Sequence, residues 1–189
     1  MEPLRRDAAR TRERIVEAAR VLAGNGESLG LNAVARMADV GVGTVYRHFA
    51  TVPELEEALV WGQFDALEEV LRSASPDQLE RVFFSHFALL VEDPLFEKVT
   101  SRATPALERT AQMRDSLIRN LGELMSRAEA SGHIRPGVTA SDVVLLLCGI
   151  AHSARAAQAE AGSPQSRFLL NVMFEGLQSA GPRNVPGVR

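Results

Sequence analysis

Gly30-Leu31-Asn32-Ala33-Val34-Ala35-Arg36-Met37-Ala38-Asp39-Val40-Gly41-Val42-Gly43-Thr44-Val45-Tyr46-Arg47-His48-Phe49 is the stretch on which the fold turns. Leu31, Val34, Ala35 and Ala38 recur at i, i+3, i+4 and i+7, which predicts a short helix with one apolar face. Asp39 to Gly41 break that pattern and predict a tight turn. Val42 to His48 form a second helix, in which Val45 and Phe49 take the buried side and leave Thr44, Tyr46, Arg47 and His48 pointing away. Hydroxyls, an imidazole and a guanidinium on one short helix suit phosphate oxygens and base edges. Two helices joined this way predict a helix-turn-helix.

The residues around this core widen the pattern. Arg12-x-x-Ile15-x-x-Ala18-Ala19, then Val34-Ala35, then Val40 to Phe49 as quoted, then Leu55, resembles the N-terminal domain of TetR-type transcriptional repressors over about residues 11–60. The resemblance implies an all-α chain: a three-helix DNA-binding head followed by a larger helical ligand-binding and dimerisation domain. It also implies that Asn32, Thr44 and Tyr46 reach bases or nearby phosphates, and that Tyr46 and His48 form a backbone-contacting pair. Val42 and Gly43 present small apolar surface beside them, and Arg47 adds a cation, so readout favours contacts such as Thr44 with a thymine methyl. Three positions depart from the family. Gly30 stands where a capping Thr or Ser is frequent, Val52 where a phosphate-binding Lys is frequent, and Asp39 where the turn often has Gly. Asp tolerates the left-handed region better than most residues, which makes the last change mild.

Composition agrees with two unequal helical units. Residues 1–50 hold eight arginines against six acids, a net of +2, whereas residues 51–189 carry thirteen basic and eighteen acidic residues, a net of −5. The mildly basic head is therefore hidden in a whole-chain charge of −3. A single cysteine, Cys148, excludes an internal disulfide, and no Cys or His pair has zinc-ligand spacing, so no metal or other cofactor is expected. The start lacks a signal-like apolar region, and the longest apolar run, Val143 to Ala151, falls short of the ~20 residues a spanning helix needs. A cytoplasmic protein without membrane contact is expected.

Periodicity and punctuation predict about nine helices and no strand. The first runs from about Asp7 to Ala23 with Ile15, Ala18, Ala19 and Leu22 as its stripe, and Gly24-Asn25-Gly26 end it. A longer helix is predicted from Pro53 to about Ser73, opened by Glu54, Glu56 and Glu57 in an order that complements the helix dipole. Later helices begin at Ser75-Pro76-Asp77, stop at Asp93-Pro94, and run over about 106–130 with Gly132 as cap. Thr139 or Ser141 caps a helix that is apolar all round over 143–151, and Ser163-Pro164 opens the last. We expect a DNA-binding domain over 1–52, a ligand-binding and dimerisation domain over 53–181, and a disordered tail over 182–189.

Function in the second domain is less legible. Trp61, Phe64, Phe83, Phe87 and Met113 are candidate walls of a pocket for an apolar or aromatic effector, as are Leu117, Leu121 and Met125. His86 and His152 lie on otherwise apolar faces and could donate a specifying hydrogen bond, although a satisfied core histidine is the default reading of each, as core packing is of the pocket-wall residues. Leu147, Phe168 and Val172, on the last two helices, are the candidate homodimer contacts. No nucleophile, base and oxyanion set converges in the sequence, so an enzyme is not expected. The reading is a ligand-released repressor of a palindromic DNA operator; an orphan regulator, or one gated by the Cys148 thiol, is the alternative.

Overall fold

The computed structural model describes residues 2–178, with side chains from residue 6 onward. The expected tail over 182–189 lies outside the described residues. Ten α-helices follow in order: α1 (Glu2–Gly24), α2 (Leu31–Met37), α3 (Val42–His48), α4 (Val52–Leu59), α5 (Trp61–Ser73), α6 (Leu79–Glu92), α7 (Pro94–Thr100), α8 (Glu108–Ala130), α9 (Ala140–Ala156) and α10 (Pro164–Gln178). A 3₁₀ turn at Pro76–Gln78 precedes α6, and no strand occurs among the described residues.

The count exceeds the sequence expectation because the helix predicted over 53–73 is two helices. Val60 donates its N–H three residues back, to Glu57 O at 3.2 Å, and sits at φ −101°, ψ 5°. The break falls beside the boundary between two compact units. The first comprises the chain up to Gly62 together with Arg102–Gln112, and the second comprises Gln63–Ser101 and the chain from Met113 onward. Leu55 and Leu59, before the break, are buried in the first unit, and Phe64, Leu67 and Leu71, after it, in the second.

In the first unit, Ile15, Ala19, Val34, Val45, Phe49 and Leu55 are almost wholly buried and weld α1 to α4 around one small core. Local signals end its helices cleanly. Gly26, at φ +71°, closes α1: Gly26 N–H bonds to Ala23 O at 3.0 Å and Glu27 N–H to Leu22 O at 2.9 Å. Asp39, at φ +50°, closes α2 in the same pattern, with Asp39 N–H on Arg36 O and Val40 N–H on Ala35 O. The helix-turn-helix turn is thus a left-handed cap made with Asp where Gly is cheapest.

In the second unit, α6 packs on α9 and α7, and α9 on α10. Asp93 caps α7, accepting from Leu95 and Phe96 N–H at 2.9 Å each, and Thr139 with Asp142 forms a capping box at the start of α9. Gly132, at φ +75°, closes α8. Leu79, Phe83, Phe87, Leu90, Phe96, Leu124 and Leu147 are the largest fully buried groups of this core.

Candidate nucleic-acid interface

The surface of α3 follows from its apolar side. Val45 is 0% exposed and Phe49 1%, which fixes the helix rotation and turns Val42, Gly43, Tyr46 and Arg47 to solvent. Tyr46 is half exposed, while Thr44 and His48 are half-buried at the edges of the same face. Asn32 is exposed at the start of α2. All seven candidate residues therefore lie in the first unit on two adjoining short helices. Arg47 folds back along α3, donating from Nε to Gly43 O at 3.2 Å and from Nη2 to Thr44 Oγ1 at 3.1 Å. That bracing orders a long cation before any phosphate arrives.

Arg14 supports the turn from outside it. Its Nη2 donates to Ala38 O at 2.7 Å and Asp39 O at 3.1 Å, so α1 holds the exposed carbonyls at the end of α2. Nothing in the sequence next to Arg14 marks this role. Arg12 and Arg47 both lie close enough to His48 to act on its charge. Burial lowers its imidazole pKa below the ordinary value, and repulsion from Arg12 and Arg47 lowers it further. Gly30 caps α2 at φ −60° without a side-chain bond, and a Cβ there would meet nothing within 4 Å. Val52 opens α4 behind the Thr51 cap, whose hydroxyl accepts from Glu54 N–H. Gly30 leaves room for a side chain, Val52 is half-buried at the start of α4, and both helices still begin at ordinary extended caps.

The effector candidates divide between the units. Trp61 belongs to the first, where its Nε1 donates to Thr110 Oγ1 at 3.0 Å. Phe64, Phe83, His86, Phe87, Leu117, Leu121 and Met125 are buried in the core of the second, Met113 is half-buried there, and His152 is exposed on α9. Phe96 bridges two of them, with ring centroids 5.2 Å from Phe64 and 6.3 Å from His86. Phe83 lines a groove of about 640 Å³ between α6 and α10, where Phe84, Leu170, Met173 and Phe174 stand among polar and charged side chains, and Met125 lines an opening of about 400 Å³ beside Gly122 and Ala140. The dimer candidates also separate: Leu147 is 0% exposed inside the protomer, whereas Phe168 is 64% and Val172 53% exposed. Leu145 and Leu146 extend that exposed apolar surface onto α9.

Residues 80–179 match the family profile described as "Transcriptional regulator SbtR-like, C-terminal domain". The chain belongs to the TetR family of transcriptional regulators. Among solved structures it is 28% identical to a TetR transcription regulatory protein from Mycobacterium vanbaalenii, over 94% of this chain and 100% of that one, with a TM-score of 0.53. It shares the fold of NalD, the secondary repressor of the MexAB-OprM multidrug efflux pump in Pseudomonas aeruginosa, at 22% identity, 90% and 98% coverage and a TM-score of 0.62. It also shares the fold of FadR from Bacillus subtilis, solved in complex with stearoyl-CoA, at 19% identity, 87% and 98% coverage and a TM-score of 0.61. No curated protein matches the sequence. TetR-family proteins are DNA-binding transcription factors and not enzymes, and no helix among the described residues is long and apolar enough to cross a membrane.

Proposed function

We propose that this TetR-family chain is a repressor that binds a palindromic operator as a homodimer and leaves it when a small apolar or aromatic effector binds. The observation that carries this reading is the α3 face. Its hydroxyl, phenol, guanidinium and imidazole are displayed on a helix whose rotation is set by the buried Val45 and Phe49 and whose preceding turn is held by Arg14. Residues 1–52 supply the DNA-contacting set Asn32, Val42, Gly43, Thr44, Tyr46, Arg47 and His48. Residues 53–181 supply the effector and dimer contacts. The exposed Leu145, Leu146, Phe168 and Val172 form an apolar surface that association with a second copy would cover. The three Phe, one Leu and one Met of the α6–α10 groove support an apolar or aromatic effector, Asp77, Gln78, Glu80, Arg81, Arg167 and Asn171 add polar contacts around it, and its size falls in the usual range for small-molecule sites.

The alternative of a thiol gate gains nothing from Cys148. Burial, then the Glu97 carboxylate, pushes that thiol pKa up against the opposing Arg114, which disfavours the reactive thiolate.

Selection of duplexes from a randomised DNA pool tests the proposal. The enriched sequence should be an inverted repeat with half-site centres ~34–36 Å apart or a multiple of that. Tyr46→Ala should weaken its binding by about 1–3 kcal/mol while thermal stability stays unchanged. Undiminished affinity of a folded Tyr46→Ala protein would take α3 out of the interface.

A further inference from the structure

Residues 102–112 are far from the helix-turn-helix in sequence, yet they fold as part of the first unit. The reason is Glu57, in α4. Its side chain is 0% exposed, and a buried carboxylate persists only where donors surround it. Here Arg102 Nη1 donates at 2.8 Å, Ala106 N–H at 2.7 Å and Leu107 N–H at 2.8 Å. Ala106 and Leu107 immediately precede α8, so Glu57 caps a helix to which it does not belong, at the end where the helix dipole favours negative charge. Burial alone would raise the Glu57 pKa, but those two N–H groups, with the Thr110 hydroxyl and Arg102, outweigh it and hold the carboxyl below its ordinary value. Arg102 also bonds the adjacent Glu56 from Nη2, at 2.9 Å.

The contacts continue toward the recognition helix. The Thr110 hydroxyl helps hold the Glu57 carboxyl below its ordinary pKa and accepts from Trp61 Nε1 at 3.0 Å. The Trp61 ring has two guanidinium carbons close by, that of Arg109 at 4.2 Å and that of Arg12 at 4.7 Å. Arg12 also lies 4.8 Å from the ring of Phe49, the residue that ends α3. Neither Arg12 nor Arg109 has an ion pair among the described residues, so the aromatic rings are what hold these like charges together.

We propose that this network is a latch by which residues 102–112 hold α4 and the recognition helix in DNA-reading position, with Glu57 and Arg102 as positioning residues. The latch rests on the DNA-binding reading above.

Trp61 is the only tryptophan of the chain, so its emission reports the latch directly. The full-length protein is titrated with a duplex that the wild type has selected from a randomised pool, reading both duplex affinity and Trp61 emission. Adding duplex should change the wild-type emission. Arg102→Met and the isosteric Thr110→Val should each weaken duplex binding roughly tenfold and blunt the emission change, and Arg102→Lys should recover part of both. Arg155→Met, which breaks the 2.6 Å ion pair with Glu97 in the second unit, is the control that should leave both readouts alone. Circular dichroism and assays well below each melting midpoint separate positioning from unfolding, and should Arg102→Met fail to fold, Thr110→Val carries the test. Wild-type affinity and emission response in folded Thr110→Val or Arg102→Met would overturn the latch alone. A wild type that selects no duplex would overturn the DNA-binding reading and the latch together.

Discussion

A histidine at the edge of α3 carries a pH dependence whose direction is set by its neighbours. Burial, Arg12 and Arg47 all disfavour the imidazolium of His48 in the free protein. A DNA phosphate at the same place favours it, so the complex takes up a proton that the free protein lacks. Duplex affinity should therefore rise as pH falls from about 8 toward 6, and His48→Gln should bind with a flatter profile. Fluorescence anisotropy at constant ionic strength checks this, and identical slopes for the two proteins would place His48 away from the phosphates. The same residue scale explains why Asp39 is acceptable in the turn. Its backbone takes the left-handed cap position, and the carbonyls it leaves exposed are held by Arg14.

Among the helices, α9 and α10 show how a two-residue shift changes the meaning of a leucine. Leu145 is 73% exposed and Leu147 0%, because 200° of helical rotation separates them and α6 covers only one side of α9. Charge at the two kinds of position should have different outcomes. Leu147→Glu places a carboxylate in the protomer core at a cost of several kcal/mol, which predicts unfolded or insoluble protein. Phe168→Glu sits on the exposed face of α10 and predicts a folded monomer. Light scattering combined with circular dichroism distinguishes them, and a stable Phe168→Glu dimer would move the interface off this surface.

For the molecule as a whole, acid stability depends on a histidine outside the DNA-reading head. His86 is 6% exposed in the core of the second unit, and burial lowers its pKa to about 4. The unfolded chain, with an ordinary value near 6.5, binds the proton first as pH falls. The stability tied to the neutral imidazole is thus complete above about pH 6.5 and is lost on acidification toward 4, by up to roughly 3 kcal/mol. Urea unfolding of the wild type and His86→Leu at both ends of that window tests it. The wild type should lose more stability than the variant, and parallel losses would mean that His86 does not titrate there.

The head, the helical class and most helix ends were legible in the sequence because their causes are local. Leu31, Val34, Ala35 and Ala38 mark a buried face by spacing alone, Gly26 and Gly132 supply left-handed caps, and Thr139 with Asp142 closes a box over three residues. Glu54, Glu56 and Glu57 read equally locally as charges set against a helix dipole, yet only Glu54 lies in the first turn, and the other two are buried. A hint stood in the sequence: Glu56 and Glu57 interrupt an otherwise apolar Leu55 to Val60. Their partners, however, come from residues 102–110, so no window of helical length contains both halves of the interaction. The same holds for the break at Val60 and for the opposite fates of Leu145 and Leu147. Periodicity says that a helix has an apolar side, but only the elements packed against it decide how much of that side is covered, because burial and donor supply belong to the neighbours and not to the residue.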